Sequence, residues 1–189
     1  MATVLLLLDL QNGITDRFPK EYMEPYLARV ALVVQKAREA GIQVVHVVSS
    51  FRPGYPELCA RNTSTARVLA LGNNAFVQGD SSTGIHTAVA PVQSEVVVAK
   101  HRVSAFASTD LDMVLRCAGV ENVVIAGLIT SGAVLSTVRQ AADLDYGITV
   151  LKDLCMDRDP EVHQVLTEKV FARHTVVSGE EWVAGLKSD

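Results

Sequence analysis

The chain has 189 residues, a mass of 20.3 kDa and a net charge of −4, from 17 basic and 21 acidic side chains. This length fits a single domain spanning residues 1–189. Hydrophobic residues make up 49% of the chain, which excludes a disordered polypeptide of low hydrophobicity and high charge. The acidic balance argues against a nucleic-acid platform and against a basic helix lying on a membrane surface.

The first apolar stretch and the three cysteines indicate in which cellular compartment the protein is located. Residues 4–8 are apolar, but the run stops at Asp9 and has no basic segment before it. It is therefore too short to cross a bilayer and unlike a signal peptide. Cys59, Cys117 and Cys155 are odd in number and form no CxxC pair, which argues against disulfides and a zinc site. We expect a cytoplasmic protein with free thiols.

The predicted elements alternate between short β-branched runs and longer helical patterns. Strands are predicted over residues 3–8, 42–48, 95–99, 122–126, 147–151 and 175–177, and helices over residues 25–40, 109–117, 131–146 and 159–173. Several strands are almost continuous Val, Leu and Ile, as in strands buried on both faces of a parallel sheet. The alternation predicts an α/β fold, a three-layer α/β/α sandwich with a mostly parallel sheet of about six strands.

The longest irregular stretch covers residues 49–93 and is rich in Gly, Pro, Ser and Asn. A connection of this length in a compact domain usually carries function. We expect it to cover a substrate site and to contain one short helix near residues 64–70. The same stretch supplies Arg61, which we expect to bind an anionic substrate because Arg forms planar bidentate contacts to carboxylates. Arg52 is the next choice, since it directly follows the strand and can instead serve the fold.

Ligands of parallel sheets bind beyond the carboxyl ends of the strands, so the polar residues at those ends are the first candidates. Asp9 ends the first predicted strand and Lys100 ends the third. The pair is either a structural ion pair or an acid–base pair, and the residues alone leave both interpretations open. Phe51 and Phe106 also follow strand ends and are candidates to line a pocket.

The turn after the fourth strand, residues 127–133, begins a helix whose first N–H groups suit an oxyanion or a carboxylate. Neither a Walker sequence nor a GxGxxG motif is present. Thr130 and Ser131 are the hydroxyl side chains of the turn, and no histidine stands near them in sequence, so a serine hydrolase is poorly supported.

Three motifs together resemble the isochorismatase-like hydrolases, a superfamily that includes nicotinamidases, N-carbamoylsarcosine amidases and isochorismatases. The motifs are Asp9-Leu10-Gln11-Asn12, Lys100 followed by Ser104-Ala105-Phe106, and the run from Gly127 to Arg139. The resemblance extends over almost the whole chain, in order. It implies a hydrolase with a small-molecule substrate that forms a homodimer or a larger homo-oligomer.

The family's cysteine hydrolases use an Asp, a Lys and a Cys, and the resemblance places the first two on Asp9 and Lys100. The Cys position falls on Ala133, so a thiolate route is closed to this chain. Three explanations stay open. The chain is a natural member without the cysteine, like the isochorismatases proper; or Ala133 replaces a native cysteine of a C–N amidase; or the chain binds ligands without catalysis.

The resemblance to isochorismatases implies hydrolysis of a vinyl ether in a small carboxylate-bearing substrate. Protonated Asp9 would give a proton to the terminal methylene carbon, Lys100 would hold Asp9, and water would attack the resulting oxocarbenium ion. The nicotinamidases carry a metal on an Asp and His cluster, but residues 49–55 supply no such ligands. We therefore expect neither a metal nor a cofactor.

The resemblance also implies a cis peptide bond between Leu128 and Ile129. Such a bond would direct the N–H groups of Ile129 and Ala133 towards one point of the substrate pocket. We expect Ile129, Thr130 and Gln11 to contribute to substrate binding together with Phe51, Arg61 and Phe106.

Overall fold

The strands form a six-stranded sheet in the order β3-β2-β1-β4-β5-β6, with every neighbouring pair parallel. The computed structural model describes residues 2–186. The strands are β1 (Ala2–Leu8), β2 (Gln43–Ser49), β3 (Val96–Lys100), β4 (Val120–Leu128), β5 (Gly147–Met156) and β6 (Thr175–Val177). The predicted parallel α/β sheet of about six strands is confirmed.

Seven α-helices occur in the described residues: α1 (Asn12–Thr15), α2 (Lys20–Glu39), α3 (Thr63–Leu69), α4 (Leu111–Cys117), α5 (Leu135–Asp143), α6 (Pro160–Val165) and α7 (Gly179–Ala184). Within these residues, no helix is both long and apolar enough to cross a bilayer. The expected short helix in the long connection is α3, which lies within one residue of its predicted bounds.

Alternate side chains of β1 enter cores on opposite faces of the sheet, which produces the three layers. Leu6 and Leu8 pack with residues of α4 and α5, including Leu111. Leu5 and Leu7 pack on the other face with α2. Both faces of the strand are thus apolar, in agreement with the continuous hydrophobic run in the sequence.

Helix α2 begins at Lys20, five residues before the predicted start, and contains Pro25. Proline has no N–H for the helix ladder, so it is unusual inside a helix. Met23 and Tyr26 are nevertheless buried, and the Tyr26 hydroxyl donates to the Leu154 carbonyl at 3.0 Å. Burial of these side chains offsets the lost hydrogen bond.

The other predicted helices are shorter or less regular than the sequence suggested. Helix α4 begins at Leu111 rather than at residue 109, and the Asp110 side chain forms no cap. A π-helical turn, Thr130–Val134, precedes α5, and α6 gives way to a π-helical turn and a 3₁₀ turn after Val165. Helix α7 was missed, although Ser178 and Glu181 form the capping box that could have revealed it.

Candidate active site

Asp9 stands where β1 ends and the chain turns. Its φ of 55° lies in the left-handed region, and its N–H donates to the Val47 carbonyl of β2 at 2.8 Å. Strand β4 passes very close to β1 at this point, because a Cβ on Gly127 would lie 2.2 Å from the Leu8 carbonyl oxygen. Close approach of β1 and β4 therefore brings Asp9 next to the segment that follows β4.

Lys100, the last residue of β3, forms a buried ion pair with Asp9. Its Nζ lies 2.9 Å from Asp9 Oδ2, and the two side chains are 4% and 6% exposed. Nζ also donates to Ser49 Oγ at 2.9 Å and to the Arg102 carbonyl at 3.3 Å. A lysine ammonium has three N–H donors, and these three acceptors use all of them.

Ser49, the last residue of β2, connects the two members of the ion pair. Its N–H and its hydroxyl both lie 3.1 Å from Asp9 Oδ1, so Asp9 accepts hydrogen bonds from Ser49 and from Lys100. With Lys100 donating to Oγ, the serine hydroxyl is free to donate its own proton to Asp9. An ionised carboxylate has about four acceptor positions, and one position remains on Oδ2.

Gln11 fixes the Ser49 backbone instead of facing the cavity. Its Oε1 accepts from the Ser49 N–H at 2.7 Å, and its Nε2 donates to the Ser49 carbonyl at 3.0 Å and the Ser82 carbonyl at 3.2 Å. The fully buried amide thus holds the end of β2 in position for the Asp9–Ser49 contact. Its contact is with protein backbone, and Gln11 is not among the residues of the cavity wall.

The Asp9–Lys100 pair lines a cavity of about 150 Å³ at the carboxyl ends of the strands. This is the volume of about five water molecules at ~30 Å³ each, so the cavity suits a small ligand. Its wall also includes Ser49, Phe51, Ser64, Thr65, His101, Arg102, Ile129 and Ala133. Five residues predicted for the site therefore share one cavity: Asp9, Lys100, Ala133, Ile129 and Phe51.

The turn between β4 and α5 contains the expected cis peptide bond between Leu128 and Ile129. The Ile129 carbonyl accepts from the N–H groups of Gly132 and Val134 at 3.0 and 3.2 Å. Ala133 follows Gly132 in this π-helical turn and presents a methyl group, without a nucleophilic atom, to the cavity.

Thr130 points to the opposite side of the turn from the expected substrate pocket. Its hydroxyl lies 2.9 Å from His163 Nδ1, and it is fully buried and absent from the cavity wall. Burial lowers the pKa of His163, against the opposing charge of Asp157. The Ser131 N–H donates to Asp157 Oδ2 at 2.6 Å, so this N–H group of the turn is bound within the protein.

Arg61 and Phe106 also lie apart from the cavity. Arg61 is exposed and absent from the wall. Phe106 is buried in the core and stacks on Tyr146 at a ring distance of 5.7 Å. Arg52 is 63% exposed and pairs with Glu57 at 2.7 Å. The arginine that does line the cavity is Arg102, which stands among the polar residues after the third strand but was not predicted as the anion-binding arginine.

A larger cavity of about 800 Å³ lies beside the same turn and is lined by residues that include Tyr22, Asp157 and His163. Asp157 and His163 are already bound to the turn through Ser131 and Thr130. The smaller cavity contains the buried Asp9–Lys100 pair, and for this reason it is the candidate active site. Among residues 2–186, no group of three or more His, Cys, Asp or Glu side chains could hold a metal ion.

Comparison with known proteins gives relatives along almost the whole chain. A ureidoacrylate amidohydrolase, RutB, of Stutzerimonas stutzeri is 28% identical over 180 residues, which cover 86% of this chain and 73% of that protein. The RutB of Methylobacterium radiotolerans is 30% identical over 178 residues, which cover 85% of this chain and 69% of that protein.

Solved structures agree with these relatives. An isochorismatase family protein from Desulfovibrio vulgaris has a TM-score of 0.84 at 27% identity and covers 96% of both chains. The N-carbamoylsarcosine amidase of Thermoplasma acidophilum has a TM-score of 0.77 at 27% identity and covers 95% of this chain and 98% of its own. The isochorismatase domain matches residues 3–181. The chain therefore belongs to the isochorismatase family of hydrolases.

Proposed function

We propose that this protein hydrolyses the C–N bond of an amide or ureido group in a small carboxylate-bearing molecule, with Asp9 as the general base. The carboxylate of Asp9 carries the proposal. It accepts three hydrogen bonds from Ser49 and Lys100, as an ionised group does, and keeps one acceptor position on Oδ2. A water molecule bound there can pass a proton to Asp9 as it attacks a carbonyl carbon.

The reaction then proceeds in two proton transfers. Water oxygen bonds to the carbonyl carbon while Asp9 takes one water proton, which gives a tetrahedral intermediate. The C–N bond breaks as Asp9 returns that proton to the leaving nitrogen. The products are an acid and an amine or ammonia, and Asp9 is ionised again. Lys100 keeps its three hydrogen bonds and orients Asp9 throughout.

Water takes the place of a thiol because Ala133, which we assign to the family's cysteine position, has no nucleophilic atom. None of the chain's cysteines lines the cavity. Cys59 and Cys117 are exposed, and Cys155 is buried with a pKa raised by desolvation to about 12. Cys155 is thus held as a buried thiol, and Cys59 and Cys117 are not part of the wall from which a nucleophile would attack.

The relatives support the choice of bond. The names ureidoacrylate amidohydrolase and N-carbamoylsarcosine amidase both describe C–N cleavage in a molecule that combines a carbamoyl group with a carboxylate. A cavity of about 150 Å³ accommodates a molecule of this size class. A ureido acid is accordingly the first substrate to test.

Hydrolysis of a vinyl ether is the second candidate, and the methyl group of Ala133 is the observation that favours it. This reaction needs a proton donor and water, and no side-chain nucleophile. It requires Asp9 to donate a proton, however, and in each of its contacts with Ser49 and Lys100 the Asp9 side chain is the hydrogen-bond acceptor. We therefore place it second.

The test is a comparison of two substrate classes with the same protein. N-carbamoylglycine reports C–N hydrolysis through ammonia release, and an enolpyruvyl ether reports vinyl-ether hydrolysis through pyruvate release. We expect ammonia release, reduced about 10²- to 10⁴-fold in Asp9→Asn. Pyruvate release without ammonia release would replace the proposal by the second candidate, and the absence of both products would contradict both candidates for these substrates.

A further inference from the structure

Arg102 is a positive side chain in the cavity wall that the proposed hydrolysis does not yet use. It follows Lys100, the last residue of β3, by two residues and is part of the cavity wall. Its backbone carbonyl accepts from Lys100 Nζ at 3.3 Å, so its main chain is tied to the ion pair.

The guanidinium of Arg102 is held in place by neutral partners. Its Nη1 donates to the Glu57 carbonyl at 3.0 Å and to the His101 carbonyl at 2.7 Å. Among residues 2–186, no carboxylate lies within ion-pair distance of Arg102. The two carbonyls therefore fix the group and leave its charge uncompensated.

The other cations near the cavity are already occupied or lie outside. Lys100 is neutralised by Asp9 and has used all three N–H donors. Arg52 pairs with Glu57, and exposed Arg61 is not part of the wall. Arg102 is thus the wall residue whose charge and geometry suit an anion.

We propose that Arg102 binds the carboxylate of the substrate and makes the site selective for acids over their neutral amides. This inference rests on the proposed function, because it places the ureido or amide carbon at Asp9 and the carboxylate at Arg102. The guanidinium edge formed by Nε and Nη2 matches two carboxylate oxygens. Held by backbone carbonyls, it loses little side-chain entropy on binding.

The kinetic test compares N-carbamoylglycine with N-carbamoylglycinamide, which differ by the charge at one end. In the parent we expect a preference for the acid. Arg102→Gln should lower kcat/KM for the acid about 10- to 150-fold, mainly through KM, and change the amide less than about 3-fold. Arg61→Gln is the matched control, since it removes the same charge outside the wall, and it should leave both values unchanged.

A binding measurement separates this inference from the proposed reaction. Butyrate and butyramide are titrated against the parent and Arg102→Gln, with line broadening in the ligand NMR spectrum as the readout. Butyrate binding that is lost in Arg102→Gln supports the anchor even if no C–N bond is cleaved. The anchor would be overturned if Arg102→Gln weakened the binding of butyrate and butyramide equally. It would also be overturned if butyrate still bound to both Arg102→Gln and Arg102→Lys.

Discussion

Lys100 Nζ lies 2.9 Å from Asp9 Oδ2, and both side chains are almost completely buried. A buried ion pair contributes little net stability compared with apolar residues of the same size, but loss of one partner leaves an uncompensated charge. The pair is also completed by Ser49, which bonds to both members. Replacement of one partner should therefore lower the free energy of unfolding more than replacement of both partners together.

Replacement of Lys100 alone should be strongly destabilising. For Lys100→Met we expect the free energy of unfolding to fall by about 3–5 kcal/mol, since the buried Asp9 side chain loses its partner. Asp9→Asn combined with Lys100→Met should recover part of this loss. Urea denaturation of the parent, both single variants and the double variant measures the coupling. Additive losses would show that the two side chains do not interact.

Removal of the Ser49 hydroxyl should lower the catalytic rate more than the stability of the fold. Ser49→Ala deprives Lys100 of one acceptor and Asp9 of one donor, which costs about 1–3 kcal/mol of stability. We expect a lower kcat with a smaller change in KM, because Asp9 is less well oriented. Ser49→Thr keeps the hydroxyl and should restore most of the rate. If Ser49→Ala turns over at the parental rate, the bridge is dispensable for catalysis.

A cysteine at position 133 should be a reactive thiol. In Ala133→Cys the new side chain shares the cavity with Lys100 and lies in the turn before α5, where the thiolate is favoured. Cys59 is exposed, and hydrogen bonds from Arg61 lower its pKa, so it must first be replaced by Ser. In that background, iodoacetamide at pH 7 should label position 133 before Cys117 and before buried Cys155. Labelling no faster than that of Cys117 would contradict the placement of Ala133.

A partly buried charge cluster of Glu95, Arg38 and His46 predicts a pH dependence of stability. Burial alone raises the pKa of Glu95, but hydrogen bonds from Arg38, Val92 and His46 outweigh it and lower the pKa to about 2. Because the folded pKa is depressed, the contribution of Glu95 is present above its unfolded value of about 4.5 and is lost as the pH falls towards 2. The arrangement thus stabilises the fold at neutral pH.

The corresponding experiment is urea denaturation of the parent and Glu95→Gln at several pH values. The parent should be more stable by about 1–3 kcal/mol at pH 7, and the difference should shrink between about pH 5 and pH 2. A difference that does not change over this range would show that the Glu95 charge is not coupled to folding.

The strands could be predicted from the sequence, and Asp9 and Lys100 could be placed at one edge of the sheet because each ends an apolar strand, whereas Ala133 was singled out only by the family resemblance. Ser49 could not be assigned a role, since its contact with both Asp9 and Lys100 depends on the order in which β1, β2 and β3 lie side by side. That order is a tertiary property.

Side-chain direction was the other property beyond sequence reasoning. Thr130 was expected in the substrate pocket but turns to His163, and Phe106 turns into the core. Arg61 was preferred because its segment is long enough to reach the site, whereas Arg102 reaches the wall from the end of β3. The homo-oligomer, the cytoplasmic location and the single domain over residues 1–189 stay predictions.

The central claim is that Asp9 promotes hydrolysis at this site without a thiol nucleophile. The most direct measurement is kcat/KM for N-carbamoylglycine in a chain with Cys59→Ser, Cys117→Ser and Cys155→Ala, with and without Asp9→Asn. We expect the cysteine-free chain to keep the parental value within about 3-fold and Asp9→Asn to lower it about 10²- to 10⁴-fold. Loss of activity in a folded cysteine-free chain, or full activity in Asp9→Asn, would contradict it.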